Sequence, residues 1–298
     1  MKEKQGFVVT GASGLLGRRV VELLALQEKG TVSLGRTAPK ETHRKVHHIS
    51  SDFSSQNLPN GLPCDSTYIH LAQSRHYYDF PARANEIFSV NVASTLALAS
   101  RALETSATTF FLASTGGVYG GSLEPLTEDS RVEPQESLSF YITTKLSAEM
   151  LVHAYSDLIN VIRARYFFIY GPGQAGNMLI PRLISKVQSG EEISVDGRAG
   201  VLLNPIFVDD AAQATFLAAT SGLTGILNIS GNEIVTIVDI VDLIGELLGI
   251  QPNIKRSGQP VLQNLVGDNT RMSSSLWKPR IDLRQGLKMV IESDFSKN

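Results

Sequence analysis

The chain has 298 residues, 42% of them hydrophobic, and 27 Lys and Arg against 29 Asp and Glu give a formal net charge of −2. That length can bury a sizeable core, in one large domain or two intimate ones. The balanced charge offers no surplus of cations to neutralise a nucleic-acid backbone, so nucleic acid is not an expected partner. The single cysteine, Cys64, allows no internal disulfide and no Cys-x-x-Cys pair, and the adjacent His47-His48 reads as a solvated strand edge, so no metal site is expected. No apolar run approaches the ~18 residues of a membrane span. The Met-Lys-Glu-Lys-Gln start runs straight into a strand-like segment with no leader pattern, which predicts a cytoplasmic protein.

The apolar stretch Gly6-Phe7-Val8-Val9-Thr10 runs into Gly11-Ala12-Ser13-Gly14-Leu15-Leu16-Gly17. This reads as a first strand turning through glycines into a helix whose apolar face carries Leu15, Leu16, Val20, Val21, Leu23 and Leu24. Glycines let the backbone come close to a pyrophosphate, and the N-terminus of the following helix favours the anion, so residues 11–17 are a candidate dinucleotide site. The spacing is Gly-x-x-Gly-x-x-Gly rather than Gly-x-Gly-x-x-Gly. By itself it also suits a plain glycine turn.

A second strand-like run, 31–34, ends at Gly35-Arg36, where a carboxylate for the ribose 2′-hydroxyl of NAD is usual about 20 residues past the turn. An arginine fork there suits a 2′-phosphate, which favours NADP over NAD; a solvated arginine is the alternative. Further strand-like runs at 67–71, 109–113 and 160–165 alternate with helical patterns at 83–105 and 139–156. That alternation predicts an α/β fold, a doubly wound parallel sheet. After Tyr170-Gly171-Pro172-Gly173 the chain breaks into short elements around Pro and Gly, which predicts a smaller lobe over 171–298. The larger domain, 1–170, takes back segments near 200–220.

Two segments carry chemistry. In Tyr141-Ile142-Thr143-Thr144-Lys145 a phenol and an ammonium lie one helical turn apart. The cation can stabilise phenolate and lower the Tyr141 pKa, so that Tyr141 exchanges a proton with a carbinol or carbonyl oxygen. In Leu112-Ala113-Ser114-Thr115-Gly116-Gly117-Val118-Tyr119-Gly120 a strand ends in a hydroxyl-bearing turn at the sheet edge where such folds place ligands. There Thr115 could bond the reacting oxygen, with Ser114 as the alternative.

With these motifs in this order, the chain resembles the extended short-chain dehydrogenase/reductase family, in its NAD-dependent epimerase/dehydratase branch that acts on nucleotide-sugars. Further matching segments are Asp52-Phe53, His70-Leu71-Ala72, Asn91-Val92, Tyr170-Gly171-Pro172, Phe207-Val208-Asp209-Asp210-Ala211, Asn228-Ile229-Ser230-Gly231 and Trp277-Lys278-Pro279. The resemblance implies a Rossmann-type domain with a smaller C-terminal substrate lobe. It implies Tyr141 as acid–base, Lys145 assisting it and binding nicotinamide ribose, and Thr115 orienting the substrate hydroxyl. Asp52 and Phe53 would lie at the adenine side, with Leu71 and Ala72 beside the cofactor. Members that eliminate water carry acidic residues just after the Ser/Thr, where this chain has Gly116 and Gly117. Phe168 replaces a substrate-contacting asparagine, Leu203 stands where an arginine is usual, and Arg256 matches a late arginine that grips the substrate diphosphate.

These implications give an NADPH-dependent 4-ketoreductase of a nucleoside-diphosphate keto-sugar as the leading expectation, with an NAD-dependent nucleotide-sugar 4-epimerase second. A non-catalytic NADP sensor or scaffold is a third reading from another class. The family also implies a homodimer through the helices at 83–105 and 139–156.

Overall fold

The computed structural model describes residues 6–39, 43–55, 57–133, 138–261 and 263–295. β1 (Phe7–Thr10) turns through the glycines into α1 (Leu15–Leu26) and returns as β2 (Thr31–Gly35), followed by β3 (Val46–Ser50), a short turn at Phe53–Ser55 and β4 (Thr67–His70). A long helical run comes next as α2 (Ala84–Phe88), a π-helical turn Ser89–Ala93 and α3 (Ser94–Glu104). β5 (Thr109–Thr115) then leads through a 3₁₀ turn, Gly116–Tyr119, to α4 (Phe140–His153) and β6 (Asn160–Tyr166). The remainder is β7 (Ile169–Tyr170), α5 (Leu179–Ser189), β8 (Ile193–Val195), β9 (Leu202–Leu203), β10 (Ile206–Phe207), α6 (Val208–Thr220), β11 (Gly225–Ile229), β12 (Val235–Thr236), α7 (Ile237–Leu248), β13 (Ile254–Arg256), α8 (Thr270–Ser275) and α9 (Leu283–Phe295).

Seven strands form one parallel sheet in the order β11-β6-β5-β4-β1-β2-β3. Its strands are hydrophobic on both faces because helices cover both: every residue of β1 and of β4 is buried. On one face α1 and the alanine-rich α6 pack on Val9, Ile69 and Phe111. On the other, Leu98, Ala99 and Ala102 of α3 and Ala148 and Val152 of α4 pack on Val8, Phe110 and Val161. Strand order reverses between β1 and β4, and the carboxyl ends of those strands are where a doubly wound sheet binds ligands.

The predicted strands and helices are all present. The long helical run differs in carrying a π-helical turn at Ser89–Ala93, where the ladder opens for one turn. His47 and His48 lie on β3, the sheet's edge strand, as expected of a solvated edge. The share of the sheet taken from the second half of the chain runs beyond 200–220, because β11 at 225–229 adds its outermost strand beside β6. The second half of the chain builds a further core, in which α5, α7 and α9 bury Ile180, Leu183, Ile240, Ile244 and Leu287.

Two of the late sequence landmarks, around Asp210 and Trp277, meet at one buried carboxylate. Asp210 accepts hydrogen bonds from Trp277 Nε1 at 2.9 Å, Arg280 N at 3.0 Å and Ile281 N at 2.9 Å, tying the segment between α8 and α9 to α6. Asn228, on β11, bridges Tyr119 Oη at 2.9 Å and Leu126 O at 2.8 Å. These residues tie distant segments together and do not lie among the candidate chemistry.

Candidate active site

The glycine turn is a cradle that no side chain could enter. Gly11 has φ +69°, a left-handed conformation that favours glycine, and a Cβ there would stand 2.8 Å from Leu71 C and Ala72 N. A Cβ on Gly17 would stand 2.1 Å from Gly11 O. Gly14 is the N-cap of α1, so the N–H groups of Leu15, Leu16 and Gly17 form the first turn, where a helix offers its N–H groups to an anion. Ser13 is exposed beside them. The residues therefore fit the pyrophosphate of a dinucleotide.

At the ends of the next strands the expectations are placed as follows. Arg36 is exposed immediately after β2, and its charge is felt by Asp52, whose carboxyl is held below its ordinary range chiefly by hydrogen bonds from Ser54. Phe53 is buried, edge-on to the His70 ring at 6.3 Å. Leu71 and Ala72 lie against Gly11, so the end of β4 forms the floor beside the turn.

Beneath that floor runs a chain of buried hydrogen bonds. Leu71 N and Ala72 N donate to Thr10 Oγ1 at 3.2 Å, so the Thr10 hydroxyl must donate onward to His70 Nδ1 at 2.6 Å. His70 Nε2 then donates to Thr95 Oγ1 at 2.9 Å, and Thr95 donates to Asn91 O at 2.8 Å. From the π-helical turn, the Asn91 side chain accepts from Ser74 N at 2.9 Å and donates to Thr144 Oγ1 at 3.0 Å. Thr144 bonds Tyr141 O at 2.7 Å. Burial pushes His70 down to about 3, which keeps the ring neutral as this chain requires. The glycine turn and the start of α4 are thus held by one network.

Tyr141 and Lys145 lie on the first two turns of α4, capped by Ser139, whose Oγ accepts from Ile142 N. The Tyr141 ring packs on Tyr77 at 4.9 Å, and its hydroxyl donates to Gln73 Oε1 at 3.2 Å. Sequence reasoning expects Lys145 to lower this phenol. The chain's own surroundings act the other way: removal from water, then Tyr78 nearby, push the Tyr141 phenol up. Lys145 is itself buried, which pushes its ammonium down to about 8 against the opposing pull of Glu149. Glu149 in turn pairs with Arg165 at 2.6 Å, both fully inside.

Thr115, partly exposed at the end of β5, accepts from Gly117 N at 3.1 Å, which leaves its hydroxyl hydrogen for another acceptor. Gly117 stands next to Ile142, which places this turn against the start of α4. Ser114 is buried, and among the described residues its hydroxyl has no partner. A Cβ on Gly116 would stand 2.5 Å from the Phe167 ring, so the ring occupies the space an acidic side chain there would need.

The second half of the chain comes up to this region at Tyr77. Tyr77 Oη donates to Met178 Sδ at 3.1 Å, and Met178 is the N-cap of α5. From there a cavity of about 310 Å³ opens between α5, β8 and the start of α7, with Arg182, Lys186, Ser194 and Asp196 in its lining. Arg256 ends β13, opposite Val195, and is exposed with its Nε on Arg198 O at 2.9 Å. Phe168 is partly buried against the core of α5, α7 and α9 and held at φ +47°, a left-handed conformation uncommon for an aromatic residue. Leu203 is buried at 1% exposure within that core. Sequence reasoning missed Gln73, Tyr77 and Met178, since their part in the site depends on contacts with residues far along the chain.

The comparisons agree with this geometry. A mouse dTDP-D-glucose 4,6-dehydratase is 27% identical, across 96% of this chain and 87% of that protein. A UDP-glucuronate 4-epimerase of Thermodesulfobacterium geofontis is 24% identical across 96% and 94%. Among solved structures, MoeE5 in complex with UDP-glucose and NAD superposes with a TM-score of 0.80 at 27% identity, covering 98% of this chain and 99% of that one. The UDP-glucuronic acid 4-epimerase of Bacillus cereus has the same fold, with a TM-score of 0.82 at 23% identity and 99% and 100% coverage. Residues 7–230 match the description "NAD dependent epimerase/dehydratase family", and the chain, an enzyme of the extended short-chain dehydrogenase/reductase type, belongs to that family.

Proposed function

We propose that the protein interconverts a carbinol and a ketone at one ring carbon, C4, of a nucleotide-linked sugar, with Tyr141 as the acid–base. The observation that carries this reading is the joining of the glycine cradle to Tyr141 through the end of β4, with Thr115 at the end of β5 beside the same helix. Bound in the cradle, a nicotinamide dinucleotide would exchange a hydride with the sugar carbon; the hydride stays in the product of ketoreduction and returns to the opposite face in epimerisation.

The N–H groups of the first α1 turn would hold the pyrophosphate, with Leu71 and Ala72 packed against Gly11 beside it. Tyr141 Oη gives its proton to the sugar oxygen or takes one from it, and the Thr115 hydroxyl orients that oxygen. Lys145 places a positive charge one turn along α4. Arg182 and Lys186 line the cavity beside α5 and Arg256 ends β13 next to it, cations that suit the nucleotide and its diphosphate. Phe167 in the space beside Gly116 supports a reaction that does not eliminate water.

NADPH-dependent 4-ketoreduction is the reading favoured by the chain's own residues, because Gly35-Arg36 presents a cation and no carboxylate at the end of β2. NAD-dependent 4-epimerisation is the second reading, supported by the UDP-glucuronate 4-epimerase relative and by the NAD in the MoeE5 complex. A cytoplasmic homodimer belongs to the same proposal; α2, α3 and α4 carry the exposed Phe88, Leu96 and Met150, and sedimentation tests the pairing. The functional test is to denature freshly purified protein and identify any released dinucleotide, then titrate emptied protein with NADPH and NADH. Near-stoichiometric NAD⁺ points to the epimerase; an empty protein preferring NADPH supports the reductase and directs a screen of nucleotide keto-sugars.

A further inference from the structure

Gln73 lies one residue past Ala72, at the carboxyl end of β4, with its side chain exposed in the cleft. Its Oε1 accepts the Tyr141 hydroxyl hydrogen at 3.2 Å, and this is the one hydrogen bond the side chain makes among the described residues. A primary amide has an acceptor at one end and two donors at the other, and turning it end for end exchanges them. The hydrogen on Tyr141 is the one that acid–base chemistry must pass to the substrate oxygen. A substrate oxygen in reach of that hydrogen therefore occupies the place where Gln73 Oε1 now sits. With a single bond holding it, the amide is free to turn its Nε2 hydrogens towards the incoming oxygen. Together with the Thr115 hydroxyl it then offers two donors where negative charge grows on that oxygen, an arrangement whose single donors contribute strongly in other enzymes.

We propose that Gln73 is a substrate-contacting residue of this site. Its amide holds the Tyr141 proton before the substrate arrives, then turns to donate a hydrogen bond from Nε2 to the reacting sugar oxygen. Gln73 keeps both its own hydrogens throughout; the transferred proton passes only between Tyr141 and the sugar. The inference rests on the reading of Tyr141 as the acid–base group.

The test is a titration that needs no sugar. The phenolate absorbance of Tyr141 is isolated as the full-length protein minus its Tyr141→Phe variant. Besides Gln73, this phenol is faced by Tyr77 and Tyr78 from the loop after β4 and by Lys145 along α4, all unchanged in the variants. A carboxylate in Gln73→Glu moves the midpoint up by about one pH unit, and an ammonium in Gln73→Lys moves it down. A midpoint unmoved in both variants overturns the proposal. On a sugar that the wild type turns over, Gln73→Leu lowers kcat about 10²-fold with KM little changed, and Gln73→Asn restores part of it. Full kcat in Gln73→Leu overturns the proposal as well. Absence of any sugar substrate for the wild type counts against the nucleotide-sugar reading, while the titration still judges the Gln73 contact.

Discussion

The two walls of the cleft are built differently. The wall formed by β1, β4, β5 and α4 is fixed by buried polar links: Thr10, His70, Thr95, Asn91 and Thr144 run without a break from the glycine turn to the Tyr141 backbone, and Glu149 pairs with Arg165 behind Lys145. The wall formed by α5, β8 and β13 presents its cations from the surface, with Arg256 exposed and held by one backbone carbonyl. Groups that do chemistry need fixed positions, whereas groups that grip a charged ligand can be mobile until it binds. Changes on the first wall should therefore move stability and kcat, and changes on the second should move KM alone.

The largest effect should come from Tyr141→Phe, which removes the proton while keeping the ring on Tyr77. Turnover should fall about 10²- to 10⁴-fold with cofactor affinity preserved. Undiminished turnover would sink the acid–base assignment. Next, Glu149→Gln leaves the Arg165 charge buried without a counter-charge and should cost about 3–5 kcal/mol in denaturant unfolding. It also removes the pull that holds Lys145 up, so the Lys145 midpoint should drop below about 8 in the pH–rate profile. An unchanged profile would separate Glu149 from Lys145.

His70 gives a third test. Its folded-state value of about 3 lies below the ordinary 6.5, so over that interval the unfolded chain binds a proton that the folded protein refuses. Stability from this group is complete above pH 6.5 and is lost on acidification towards 3, at about 1.4 kcal/mol per pH unit once the unfolded ring is charged. By NMR the His70 ring should stay neutral to pH 5; a ring that charges above that pH breaks the network as drawn. The smallest effect on the fold should follow Arg256→Ala. The melting temperature should hold, because an exposed cation contributes within about 0.5 kcal/mol, while KM for a nucleotide-sugar rises about tenfold. A fall in stability, or no change in KM, would erase the contrast between the walls.

Sequence patterns were informative where the signal is local. Glycines at positions 11, 14 and 17 mark a turn within one strand–helix unit, and Tyr141 and Lys145 reveal themselves by one helical turn. The alternation of strands and helices fixed the doubly wound class, and each predicted strand is found within two residues of its bounds. Patterns were silent where a role depends on distant partners. Asn91 acts through a π-helical turn and Thr144, 53 positions away, and Gln73 reaches Tyr141 across 68.

The amino-acid sequence by itself determined the sheet, and it singled out the glycine turn and Thr115, Tyr141 and Lys145 as the candidate set, because spacing and residue type are legible within a few turns of chain. Tertiary structure decided the protonation tendencies and the fine shape of the cleft. Burial pushes the Tyr141 phenol up and the Lys145 ammonium down, reversing the expectation that a neighbouring cation dominates. Packing also put the Phe167 ring beside Gly116, Tyr77 on Met178 and β11 into the large sheet. Desolvation and contact depend on which distant residues exclude water, and no local pattern encodes that.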